Sequence, residues 1–159
     1  MTTISYRESR NLEKTLLDFI TNELITANPP WTDVVVEKAW SRITDNTIPA
    51  ILVQMIPTDR VSKELGNTIT RKTYTVFVRI FAVDDGQRLD LKDWLCEVLE
   101  PGIAYYKYTI TENQTLKTCA GRLVSQIITD RKELEEVAGL TKKDRYRHLI
   151  GLKVSVCEV

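Results

Sequence analysis

The sequence predicts an α+β fold: one mostly antiparallel β-sheet with two amphipathic helices packed on one face and long hairpins and loops projecting from it. Three observations lead there. Two segments carry apolar residues at helical steps, Leu12, Leu16, Phe19, Ile20 and Leu24 in the first and Leu91, Trp94, Leu95, Val98 and Leu99 in the second. Six shorter segments alternate apolar and polar residues or form compact apolar runs, as strands do. The order is helix, three strands, helix, three strands, without repeat or linker, so residues 1–159 read as a single domain.

The first helix is expected over residues 9–26, with Lys14, Asp18 and Asn22 opposite the apolar stripe, and Asn28-Pro29-Pro30 stops it. Asp33 to Trp40 reads as a strand around Val34, Val35 and Val36, whose β-branched side chains suit a pleated sheet. Ala50 to Ile56 is an apolar run with one polar residue, Gln54, as expected of a strand covered on both faces. Pro57 limits its pairing and points to an edge or bulge. Thr70 to Val83 is the clearest strand: Tyr74, Val76, Val78 and Ile80 point one way, and Thr75, Phe77, Arg79 and Phe81 the other. Between these two, Thr58 to Ile69 centres on Gly66-Asn67, a turn dipeptide, and predicts a hairpin whose arms outrun the sheet.

Asp84-Asp85-Gly86 opens the second helix with an aspartate available as N-cap, and Pro101-Gly102 closes it. Tyr105 to Ile110 alternates, with Tyr106, Tyr108 and Ile110 on one face, and residues 111–115 read as a polar turn. Arg122 to Thr129 and Leu149 to Val156 are the last two strands. The charged stretch between them, Asp130 to Arg147, exceeds the about 12 to 15 residues common for a loop in a compact domain, and such loops tend to be functional or disordered.

The bulk composition excludes several classes. A hydrophobic fraction of 43% and a charged fraction of 28% are those of an ordinary globular chain, and Lys plus Arg (22) balance Asp plus Glu (22). A neutral chain exerts no global pull on nucleic acid or anionic membrane. The opening residues are polar and mixed in charge, unlike a secretory signal, and no apolar run approaches the roughly 20 residues of a membrane span. Cys96, Cys119 and Cys157 are odd in number and widely spaced, which suggests free thiols and neither a disulfide framework nor a zinc site.

Catalytic patterns are sparse. The single histidine, His148, opens a strand and reads as an ordinary strand-end residue, with Cys119 or Cys157 as the sulfurs that folding would have to bring near it. Asp84-Asp85 suits helix capping better than metal binding, because adjacent side chains diverge. No Gly-x-Ser-x-Gly or P-loop pattern occurs. Lys142-Lys143-Asp144-Arg145-Tyr146-Arg147 is basic, but acids in the same stretch largely cancel its field. Trp94 belongs to a core stripe, Trp40 reads as core, and Trp31 is a candidate interface anchor.

What remains is two charged, two-signed extensions, which suit protein–protein contact because mixed charges fix register and reject wrong partners. The candidate partner-binding residues are Arg60, Lys63, Glu64, Asn67 and Arg71 on the hairpin, and Asp130, Arg131, Lys132, Glu135, Lys142, Lys143 and Arg145 in the charged stretch. A small-molecule-binding α+β module or a thiol enzyme is the reading from another class.

The order of segments resembles the tail terminator, or tail completion, proteins of long-tailed bacteriophages. The residues that carry the likeness are the N-terminal amphipathic helix, Pro49 to Ile56, the hairpin, the strand Tyr74 to Asp85 running straight into a helix from Leu89 to Leu99, Val124 to Asp130, and Leu149 to Val156. The stretch after Asp130, Arg131 to Ala138, is longer and more charged than the family's loop. The resemblance implies a structural virion protein, at the head-proximal end of the tail and assembled in the host cytoplasm, with no catalysis and no cofactor. The implied partners are further copies of itself in a ring (usually a hexamer), the tail tube protein and a neck or head-completion protein. Contact with DNA in the lumen would be non-specific at most, and no membrane is involved. A head–tail adaptor or tail tube subunit of similar layout is the nearest alternative.

Overall fold

The computed structural model describes residues 2–27, 33–62, 70–134 and 139–158, with backbone alone for residues 57–62 and 70–72. Seven strands and two helices follow the predicted order, with one extra short strand at the start: β1 Ile4–Ser5, α1 Glu8–Thr26, β2 Val35–Glu37, β3 Ala50–Ser62, β4 Thr70–Phe81, α2 Asp85–Leu99, β5 Ile103–Thr111, β6 Gln114–Lys132 and β7 Arg147–Glu158. Trp31 lies outside the described residues.

All seven strands form one sheet in the order β1-β5-β6-β7-β4-β3-β2. Every neighbour pair is antiparallel except β2 and β3, where Val35 to Glu37 run parallel to Ala50 to Leu52. The sheet curls, so that α1 meets both of its margins. At one margin Thr15 Oγ1 donates to Tyr106 O at 3.3 Å and Asn11 Oδ1 accepts from Tyr108 N at 3.0 Å, so helix side chains take hydrogen bonds that a further strand would supply. At the other margin Val34 and Val36 pack against the same core, and Lys38 Nζ lies 3.6 Å from Glu13.

Both helices bury their apolar stripes on one face of the sheet. Leu12, Leu16 and Ile20 from α1 and Leu91, Leu95 and Leu99 from α2 meet Val76, Val78, Ile80, Ile150, Leu152 and Val154 from the central strands. Asp84 caps α2 by accepting from Gln87 N at 2.7 Å, and Gln87 Oε1 in return accepts from Val83 N at 2.8 Å. A smaller cluster of Ile43, Ala50, Leu52 and Phe81 fills one end of the opposite face, closed by residues 40–48. This is why Ala50 to Val53 are buried on both sides.

Four expectations change. The segment Asp33–Trp40 is a strand only over Val35–Glu37; Trp40 instead starts a short 3-10 helix, with its ring edge-on to Phe81 at 5.6 Å. The alternation of Tyr105 to Ile110 fails, because the ladder slips between Tyr105 and Tyr106, leaving both Tyr105 and Tyr108 buried. The slip sits at Gly121, whose φ is +151° and where a Cβ would stand 2.0 Å from the Cys157 carbonyl oxygen, so only glycine fits. Finally, β6 is far longer than Arg122–Thr129. The 111–115 turn reduces to Glu112-Asn113, since Thr111 already pairs with Gln114. Among the described residues no helix is long and apolar enough to cross a membrane.

Candidate functional site

The pairing registers describe a forked sheet. β7 pairs with β6 from Gly121 to Lys132 and with β4 from Tyr74 to Phe81. Beyond Val154 it keeps only β6, and it ends opposite Gly121. Among the described residues, Gln114 to Cys119 of β6 therefore pair with β5 alone, and Thr70 to Thr73 of β4 pair with β3 alone. Because β3 and β7 run in the same direction, both the β3–β4 and the β5–β6 hairpins stand clear of the sheet at one end. Gln114 to Cys119 are exposed, carry the apolar Leu116 and contain a single charge, Lys117, stacked 4.8 Å over Tyr106. An unpaired strand edge without proline and with one lysine is poorly guarded against pairing with another chain. On the other margin β2 reaches only Leu52, so among the described residues no strand pairs with the outer edge of β3 from Val53 onward. Leu149–Val156, expected as a strand, lies within β7 at the centre of the sheet.

The charged stretch is not a uniform projecting loop. Asp130, Arg131 and Lys132 still belong to β6, and Glu133 N donates to Arg147 O at 2.9 Å, extending the ladder. Glu133 is an inward carboxylate: Arg79 Nε donates to Oε1 at 3.0 Å, and Arg147 Nε sits 2.9 Å from Oε2, off the line of a hydrogen bond. The two guanidinium groups lie 5.0 Å and 5.3 Å from the Trp40 ring, and Arg79 also donates to Gln54 Oε1 at 2.5 Å. Lys143 is bound as well, its N donating to Asp45 Oδ1 at 2.9 Å. Of the candidate contact residues in this stretch, Asp130, Arg131, Lys142 and Arg145 are exposed; Asp130 still faces His148 Nε2 and Lys143 Nζ donates to Ile43 O, so both hold the fold, and Lys132 Nζ lies 5.8 Å over the Tyr146 ring. Lys63, Glu64, Asn67 and Glu135 lie outside the described residues, as do the side chains of Arg60 and Arg71, whose backbones sit in β3 and β4.

His148 is no ordinary strand-end residue. It is 3% exposed and engaged on both nitrogens: Arg88 faces Nδ1 at 2.8 Å and Asp130 faces Nε2 at 2.5 Å. Arginine can only donate, so Nδ1 accepts and Nε2 carries the proton that goes to Asp130. Burial pulls the His148 pKa below its usual range, against the pull of Asp130. The nearest sulfur is neither of those expected. Cys96 Sγ lies 4.0 Å from Asp130 Oδ2, and burial with that carboxylate pushes its pKa up to about 11, so it stays a thiol. Cys157 is on the histidine's own strand, about 30 Å further along, and Cys119 lies beyond that end. The cluster thus holds a neutral imidazole and a protonated thiol, with neither free to take a proton from the other.

A groove of roughly 230 Å³ runs between α1 and β5, lined by Asp18, Phe19, Glu23, Tyr106, Tyr108 and Lys117. Its Asp18 is occupied, accepting from Tyr108 Oη at 2.8 Å and from Lys14 at 3.4 Å. Burial and Asp18 together push the Tyr108 pKa up, so the phenol keeps its proton. The features that stand ready for another molecule are instead the hairpin edges and the open sheet face. The β6 edge escaped the sequence reading because Glu112-Asn113 was merged with Gln114 and Thr115 into one turn. Its signal was the two-residue spacer between alternating segments. No family model and no curated protein matches the chain.

Proposed function

We propose that this chain is a structural, non-enzymatic subunit of a ring that ends a bacteriophage tail tube and joins it to the head. One observation carries the reading: two hairpins leave the same end of the sheet, and among the described residues no strand pairs with their outer edges there. Such edges bind the extended main chain of a partner, which is one way for a subunit to dock on the end of a tube. The resemblance in segment order supports the same assignment. In this reading the subunit contacts copies of itself, the tube protein and a neck protein, in the virion, needs no cofactor, and touches DNA in the lumen without specificity.

A tail tube subunit or head–tail adaptor is the second reading, because free edges serve an open polymer equally well. Adding the purified chain to polymerising tube protein separates them. A terminator shortens the tubes and sits at one end of each. Incorporation along the tube favours the tube subunit, and unchanged tube lengths with no bound chain contradict both.

A further inference from the structure

We propose that this chain associates with itself head to tail, helix α2 of one copy docking on the open sheet face of the next. This rests on the ring reading and names the contact within it. Among the described residues, the sheet face opposite the helices is covered at the end closed by residues 40–48. Elsewhere the register sets Arg122 beside Cys157, Val124 beside Ser155, Gln126 beside Lys153 and Arg131 beside Leu149 on that face. No acid shares these positions between Arg122 and Arg131 on β6 or on the paired part of β7. Arg122, Arg131 and Lys153 are exposed, and Val124 and Ile128 are exposed among them at 54% and 45%. Along β6 and β7 the described part of this face is thus exposed at Arg122, Val124, Gln126, Ile128, Arg131 and Lys153, basic and partly apolar, with Leu149 and Gly151 buried beneath.

The outer side of α2 is its complement. Asp90, Asp93, Glu97 and Glu100 recur at three- and four-residue steps, all exposed, with the apolar Leu89 on the same side at 43% exposure. Lys92, the cation between Asp90 and Asp93 on this helix, is half-buried and turned to Asp93 and Asp130. Asp93 to Glu100 spans about 10 Å of helix axis. Arg122 to Gln126, the partner of Lys153, spans about 13 Å of strand, so the two charge rows match in length. The apolar residues lie within each row, as at the core of an interface with a charged rim. A chain with no net charge that sorts its signs onto opposite faces attracts its own kind. The two faces differ, so each copy offers one to either neighbour, which is the condition for a closed ring.

Charge reversal in two separate chains tests this. One variant carries Asp90→Lys and Glu97→Lys; the other carries Arg122→Glu and Lys153→Glu. All four side chains are exposed, so both variants fold, as checked by circular dichroism. Sedimentation velocity at low salt should show wild type associating, each variant at least tenfold weaker, and the equimolar mixture restored, because each new helix charge meets a new sheet charge. Association of either variant as strong as wild type, a mixture that stays dissociated, or a wild type that is monomeric throughout overturns the proposal. Rings on tube ends with both variants would leave the terminator reading standing without this contact. Complementation by a chain that never caps tubes would do the reverse.

Discussion

Arg88 donates to Nδ1 of His148 across 2.8 Å, and that contact fixes the protonation state of the only histidine in the chain. Adding a proton to Nδ1 would set two donors against each other in a buried site, beside Lys92 as well as Arg88.

The folded state therefore binds this proton less readily than the unfolded chain does. The His148 contribution is complete above its ordinary pKa of about 6.5 and is lost as pH falls from there toward the depressed folded value, with a slope of at most about 1.4 kcal/mol per pH unit. Asp85, whose carboxyl Arg88 holds below its usual range, adds its own loss at lower pH, so the comparison is with His148→Gln. Urea unfolding between pH 7.5 and 5 should show a shallower fall in the variant. Parallel curves would refute the assignment.

Glu133 joins two arginines and is 14% exposed. Replacing it with alanine leaves Arg79 and Arg147 facing each other over Trp40, at a cost of roughly 3 kcal/mol. Lys142→Ala and Arg145→Ala, exposed in the same stretch, should stay within about 0.5 kcal/mol of wild type. Chemical denaturation of the three variants measures the contrast.

Gly121 places the β6 backbone against the carbonyl of Cys157. Gly121→Ala forces that strand pair apart or strains φ, and should cost about 2 to 4 kcal/mol. Hydrogen exchange should show the loss concentrated where Gly121 to Leu123 pair with Val156 to Glu158.

The thiols should separate by reactivity. Cys119 and Cys157 are exposed and should react with a disulfide reagent within minutes at pH 8, whereas Cys96, its pKa pushed up to about 11, should wait for unfolding. Three thiols reacting at one rate would show the Asp130–Cys96 contact to be absent in solution.

Much of the fold was legible because its signals are local. The stripes of α1 and α2, the Asp84 cap and the alternation of Tyr74 to Ile80 follow from neighbours in sequence, and each stands in the structure. What was not legible depends on pairing. The slip at Gly121 reverses the faces of β5, and no period within residues 105–110 reports a glycine on another strand. The charged stretch looked solvent-borne because its composition says nothing of Arg79, whose guanidinium draws Glu133 inward. His148 looked ordinary for the same reason, since its partners Arg88 and Asp130 are 60 and 18 residues away. The hairpin ends were half legible: the arms around Thr58–Ile69 pair up to Ser62 and Thr70, with the Gly66-Asn67 turn outside the described residues, while the β6 edge emerges only from where β7 stops.

We propose that the chain closes the end of a tail tube. Electron microscopy of tail tubes incubated with the gold-labelled chain tests it most directly. The account predicts a closed ring carrying label at one end of each tube and nowhere else. Label spread along the tubes, or tubes with both ends bare, would contradict it.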